Sequence, residues 1–321
     1  MNIPVFDFHC DTLLGSLGPN VDGSISLRQN QMHIDYLRGS KLPGYAQCFA
    51  FFTFPDIGRP KGMSVQDLFW RAVSVIQDSI DKNSDLVRQA RTADEIRRNQ
   101  EQGLISAIFT LEGTASIDFD PAKLEKMHQL GFLVSSLSWN EKNPLTGSNV
   151  TGGGLTKRGV EFVKEAQRLG ILVDVSHISD EAFWDIMDIT QAPVIATHSN
   201  SRAVCDVSRN LTDEMFRAIC NSGGVAGLNL YGAFIGENPT LDMACDHIFH
   251  FLEMDPEGKH ICLGGDLDGC DILPAGFEGI QDYPKLAQRL LERGISEKII
   301  RQIFWTNALE VLERAVCNHT G

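Results

Sequence analysis

The chain has 321 residues, 43% hydrophobic and 22% charged, an ordinary balance for a globular enzyme and enough for one large α/β barrel or two smaller domains. A net charge of −14 without a basic patch argues against nucleic acid as a partner. Eight cysteines without a CxxC pair read as reduced, buried thiols. No run approaches the roughly 20 apolar residues of a membrane span. Neither a signal peptide nor a lipid-anchor tail is visible, so the expectation is a cytoplasmic protein away from membranes.

The first expected strand covers residues 4–8 and leads into His9-Cys10-Asp11. Seven more short apolar runs follow, at 45–53, 106–111, 131–139, 171–176, 193–197, 224–230 and 260–265. Many are rich in Val, Ile and Leu without polar alternation, as strands covered on both faces are. Helical patterns lie between them. Residues 63–89 repeat Leu68, Ala72, Val73, Val75, Ile76 and Ile80, and residues 155–169 repeat Val160, Phe162, Val163 and Ala166. Residues 179–189 open with Ser-Asp-Glu, a helix start. Residues 297–316 read as a long final helix interrupted near Thr306-Asn307. A segment rich in Pro and Gly, 54–62, reads as a loop over the mouth. Eight strands separated by helices predict an α/β fold, a (β/α)8 TIM-like barrel, with a doubly wound sheet as the alternative. No linker or repeat divides the chain, so one domain over 1–321 is expected.

Polar residues at the strand ends favour the barrel, because a barrel gathers such groups at its C-terminal face. The first strand ends His9-x-Asp11, the third Leu111-Glu112-Gly113, the fifth Asp174-Val175-Ser176-His177, the sixth Thr197-His198-Ser199 and the eighth Asp266-Leu267-Asp268. Three histidines and at least three carboxylates on one rim are costly without a counter-charge, and a bound cation removes the cost. Imidazole with carboxylate suits zinc, and also iron, cobalt or manganese. The set exceeds what one tetrahedral ion requires. Two ions sharing a carboxylate and a bridging water, which ionises at neutral pH, fit the inventory. Glu112 is the candidate bridge, since its strand lies between the others in barrel order.

These motifs, together with Ser208-Arg209-Asn210-Leu211 and Gly264-Gly265-Asp266-Leu267-Asp268-Gly269, resemble the membrane (renal) dipeptidase family of zinc peptidases, within the wider amidohydrolase-like barrels. The resemblance covers nearly the whole chain and looks like the shorter microbial branch. It implies two zinc ions, held by His9, Asp11 and the bridging Glu112 on one side and by His177 and His198 on the other. It implies Arg209 as the contact to a substrate carboxylate. Asp266 would shuttle a proton from the bridging water to the leaving nitrogen. It also implies a homodimer. One position departs. Mammalian members carry a histidine where this chain has Trp139, in Leu137-Ser138-Trp139-Asn140. Trp139 cannot become cationic, so it reads as a substrate-binding wall and leaves oxyanion stabilisation more to the metals. Asp268 receives no chemical role. The expected activity is hydrolysis of small dipeptides, including L-Xaa-D-Xaa, with a related hydrolase of N-acyl amino acids or other small amides as the alternative.

Overall fold

In the computed structural model, which describes residues 1–18, 20–52 and 62–317, all nine strands run parallel. They are β1 (Val5–Cys10), β2 (Tyr45–Phe52), β3 (Val87–Gln89), β4 (Ile105–Glu112), β5 (Phe132–Ser136), β6 (Leu172–Asp174), β7 (Val194–Ile195), β8 (Ala226–Leu228) and β9 (Ile261–Leu263). Eight lie in the order β7-β6-β5-β4-β2-β1-β9-β8, and a parallel bridge from Ala196 to Ala226 joins the two ends. The result is the (β/α)8 barrel expected from the strand count. Glycine makes the β7–β8 approach possible. A Cβ on Gly224 would sit 1.7 Å from the Val194 carbonyl oxygen, and one on Gly227 would sit 2.0 Å from that of Thr197.

The barrel interior is apolar below and polar above. Phe6, Phe8, Ile108, Val134, Leu172, Ile195 and Cys262 share one buried cluster with Trp305, Ala308, Leu309 and Leu312 of the C-terminal segment, which plugs the floor. The expected break in the last helix is a π turn at Gln302–Thr306, after which the helix resumes at Asn307–Cys317. Asn307 there donates to the carbonyls of Gly258 and Ile261, at 2.6 and 2.7 Å.

Serine and threonine side chains start the surrounding helices. Ser64, Thr156 and Ser179 each accept a backbone N–H three residues on, satisfying one of the bare donors of the first turn. One boundary differs from expectation. The helix read over 63–89 spans Val65–Lys82, and its tail becomes β3, which pairs with the start of β4. Asn83 ends the helix, and three residues are too few to show a strand period. The loop expected over 54–62 lies outside the described residues except for Gly62. Seven described cysteines are free thiols, five of them buried. Among the described residues no helix is long and apolar enough to cross a membrane.

Candidate metal centre

His9 and Asp11 reach the mouth through a bulge. Asp7 pairs with Gln47 and Cys10 with Phe49, so β1 advances three residues while β2 advances two. The extra residue shifts the alternation, and both Phe8 and His9 face inward, Phe8 to the core and His9 to the rim. The buried Asp7 fastens the bulge. Its Oδ1 accepts from the N–H of His9 at 3.0 Å and of Gly265 at 2.9 Å, and its Oδ2 accepts from the Tyr283 hydroxyl. Glu112 ends β4. His177, His198 and Asp266 each stand three residues beyond β6, β7 and β9. His177, Asp266 and Asp268 have left-handed backbones, φ 71°, 56° and 67°, a conformation uncommon for non-glycine residues. Gly269 lets the carboxylates close in, because a Cβ there would lie 2.0 Å from an Asp11 oxygen.

The protonated nitrogen of two imidazoles follows from their partners. The Thr197 hydroxyl donates to Asp174 Oδ2 at 2.7 Å, so it can only accept from His198 Nδ1, at 2.6 Å. The Asn140 carbonyl oxygen lies 3.0 Å from His177 Nδ1 and accepts from it. Burial pushes both imidazoles well below the ordinary pKa, with Arg209 and His9 adding to the effect, so each is neutral with one N–H, at Nδ1. Their bare Nε2 atoms then face each other at 3.0 Å. Glu112 Oε1 stands 3.2 Å from His177 Nε2 and 3.9 Å from His198 Nε2. Two bare imidazole nitrogens and a carboxyl oxygen meeting at one point fit a cation, which would keep Glu112 ionised against its burial.

The other half of the site is anionic. His9 Nε2 lies 3.5 Å from Glu112 Oε2, 3.7 Å from Asp266 Oδ1 and 3.8 Å from Asp11 Oδ2. Burial would lower the His9 pKa, but Glu112, Asp11 and Asp266 raise it to about 10. The same acidic groups that favour a positive charge at His9 would also favour a cation. Burial lifts Glu112 well above the carboxylate range and raises Asp266, with Asp11 adding to both. His9 Nε2 and Asp11 Oδ1 are buried without hydrogen-bond partners, as atoms kept for a ligand would be. His9, Glu112 and His198 form one group able to hold an ion, and His9, Asp11 and Asp266 another. The five expected ligands thus lie together, as does Asp266.

A cavity of about 380 Å³ opens above them, lined by Asp11, Glu112, His177 and Asp266, with Phe52, Trp139, Tyr231 and Phe234 among its apolar walls. Trp139 packs edge-on to Phe52 with ring centres 5.0 Å apart, in keeping with a wall. Arg209 is buried and donates to Ser199 Oγ at 2.6 Å, while Nε and Nη2 have no partner. Its guanidinium carbon is 5.7 Å from the Phe234 ring centre. Asp268 accepts from the Thr12 hydroxyl at 2.5 Å and the His33 N–H at 2.6 Å, which ties the start of the Thr12–Ser16 helix and the His33 loop to the rim. The sequence reading missed Asp174, Thr197 and Asn140 as partners of the imidazoles. It also missed Asn229, whose amide bridges the His198 carbonyl and Asp266 at 3.2 and 3.0 Å. Nearness to the histidine motifs in the chain could have flagged Asp174 and Thr197, but no such signal marks Asn140 or Asn229.

A model of the membrane dipeptidase family (peptidase family M19) matches residues 1–320. The chain belongs to that family. A metallo peptidase from Rhodobacter sphaeroides, solved with a phosphinate mimic of the dipeptide L-Ala-D-Ala, superposes with a TM-score of 0.87 at 26% identity, covering 98% of this chain and 100% of that one. An uncharacterised dipeptidase of Schizosaccharomyces pombe is 35% identical over 214 residues, 64% of this chain and 52% of the relative. A dipeptidase of Clonostachys rogersoniana is 30% identical over 246 residues, 75% of this chain and 63% of the relative. The chain therefore spans between half and two thirds of these two fungal relatives. Membership of the membrane dipeptidase family makes it a metal-dependent hydrolase of the dipeptidase class.

Proposed function

We propose that this membrane dipeptidase-family chain is a dinuclear zinc enzyme that cleaves small dipeptides, including those with a D-residue at the C-terminal position. The observation that carries the reading is the meeting of His177 Nε2, His198 Nε2 and Glu112 Oε1, three acceptors within 3.9 Å of one another beneath a cavity. His9 and Asp11 would hold one ion and His177 and His198 the other, with Glu112 within reach of both groups, its Oε2 3.5 Å from His9 Nε2 and its Oε1 3.2 Å from His177 Nε2. When bound, the ions supply Lewis acidity to the carbonyl and a water ionised near neutral pH.

The residues do the rest. Arg209 keeps Nε and Nη2 free for the terminal carboxylate of a short substrate, a charge-assisted pair in a buried setting. The raised Asp266 carboxyl, 3.0 Å from the Asn229 amide, is poised to accept and return a proton. The water oxygen bonds to the carbonyl carbon as Asp266 takes its proton. The C–N bond breaks as Asp266 gives that proton to nitrogen, leaving a carboxylic acid and an amine. Trp139 and Phe52 wall the cavity beside the scissile amide. The phosphinate mimic held by the Rhodobacter relative supports L-Xaa-D-Xaa substrates. The family resemblance supports a homodimer, which sedimentation would test.

The deciding assay is a panel of L-Xaa-L-Xaa, L-Xaa-D-Xaa and N-acyl substrates, with and without added zinc. Zinc-dependent dipeptide cleavage is expected. Turnover of N-acyl substrates alone would overturn the dipeptidase reading, and full activity in protein free of any ion would overturn the metal mechanism.

A further inference from the structure

Attack on an amide carbonyl puts negative charge on its oxygen, and a site stabilises that charge with aimed hydrogen-bond donors. The cavity wall is short of them. Asp11, Glu112, Asp266 and Asp268 are carboxylates, and His177 turns its bare Nε2 toward Glu112. Asn140 is different. It stands on the same wall, half-buried, with Oδ1 accepting from His177 Nδ1 at 3.0 Å. Its backbone carbonyl is tied to the Ser148 hydroxyl at 2.9 Å, so the residue is held from two directions. With Oδ1 committed, the planar amide turns Nδ2 away from the imidazole. No described residue accepts a hydrogen bond from Nδ2, and it is not among the polar atoms sealed from solvent. A fixed, unspent N–H donor therefore borders the cavity beside an imidazole of the metal centre.

We propose that Asn140 is a catalytic residue, donating from Nδ2 to the carbonyl oxygen of the scissile amide as charge develops there, while its Oδ1 positions His177. The assignment rests on the dipeptidase reading above. One side chain then links the ion-holding imidazole to the substrate. The Tyr231 hydroxyl is a rival donor on this wall, beside the Trp139 indole N–H.

Two substitutions separate the roles. Asn140→Asp keeps an acceptor for His177 Nδ1 and removes the donor, whereas Asn140→Ala removes both. Tyr231→Phe tests the rival. The measurements are kcat and KM on the best dipeptide, inhibition by a phosphinate dipeptide mimic, and zinc affinity by chelator competition. For Asn140→Asp, kcat should fall about 100-fold, with phosphinate affinity falling in step. Its KM should stay within about threefold and its zinc affinity should not weaken. Asn140→Ala should also lose about tenfold in zinc affinity. Wild-type kcat and phosphinate affinity in Asn140→Asp would overturn the assignment. Activity lost only in proportion to zinc, or the whole effect appearing in Tyr231→Phe, would overturn it too. A wild-type enzyme that cleaves no dipeptide sinks both readings, while an active wild type with an unaffected Asn140→Asp sinks this one alone.

Discussion

His198 and His177 present the same nitrogen to the same point, yet they are held in unlike ways. Behind His198 stand a hydroxyl and a buried carboxylate. Asp174 takes the N–H groups of Ser176 and Thr197, both at 2.9 Å, as well as the Thr197 hydroxyl, so the ends of β6 and β7 are stitched together beneath the imidazole. Behind His177 stands a neutral amide on the cavity wall, one residue from Trp139. The first arrangement is sealed and anionic, suited to hold a cation whatever occupies the cavity. The second faces the cavity. A site with one partner of each kind can keep its ion while responding to what binds.

That contrast can be broken by experiment. Both sides need the cation, so chelation is expected to take dipeptide hydrolysis to background and added zinc to restore it. It should also lower the melting temperature, since an ion that binds only the folded chain stabilises it. Thr197→Val leaves shape nearly intact but removes the link to Asp174. Ion affinity should drop by about 10- to 100-fold, and Thr197→Ser should recover it. Equal affinity in both variants would mean that the sealed side is packing alone.

His247 adds a stability test on the same side. It accepts the Ser201 N–H at Nδ1 and donates from Nε2 to the Ile235 carbonyl, both at 3.2 Å, and so props the loop after His198. Burial lowers its pKa to about 4, so the unfolded chain binds a proton that the folded one refuses. Its contribution is complete above the unfolded value of about 6.5 and is lost as pH falls toward about 4, a change of about 3 kcal/mol. Urea unfolding of His247→Gln should show a flatter pH dependence over that window than the wild type. Trp139→Phe is expected to do least. It keeps the ring against Phe52 and should shift KM by roughly fivefold, about 1 kcal/mol of aromatic contact, with kcat unchanged. A large loss of kcat would make the indole more than a wall.

The barrel and the rim residues were legible because their signals are local. Apolar runs of strand length mark β1, β2 and β4 to β9, and His9, Glu112, His177, His198 and Asp266 each follow such a run at once. Yet the strand period alone does not bring His9 to the rim; the bulge does, and it shows only in the register against β2. The partners of the site were harder to read because hydrogen bonds across a barrel join residues far apart in sequence. Asp7 and Tyr283 lie 276 positions apart, and neither stands in a motif. Asn140 and His177 are 37 apart, and only the folded loops make them neighbours. The short β3 had the same difficulty, since its pairing with β4 outweighs a helix pattern that had already run out.

One consequence follows from the pairing of β1 with β9. The first strand carries His9, and the segment after the last carries Asp266 and Gly265, which Asp7 grips. Asp266 therefore joins the rim of the metal centre only when the first and last strands of the chain have met. Proton transfer becomes a property of the closed ring. A chain with its first seven strands assembled would carry all five candidate ion ligands and still lack Asp266, the carboxyl proposed to move the proton.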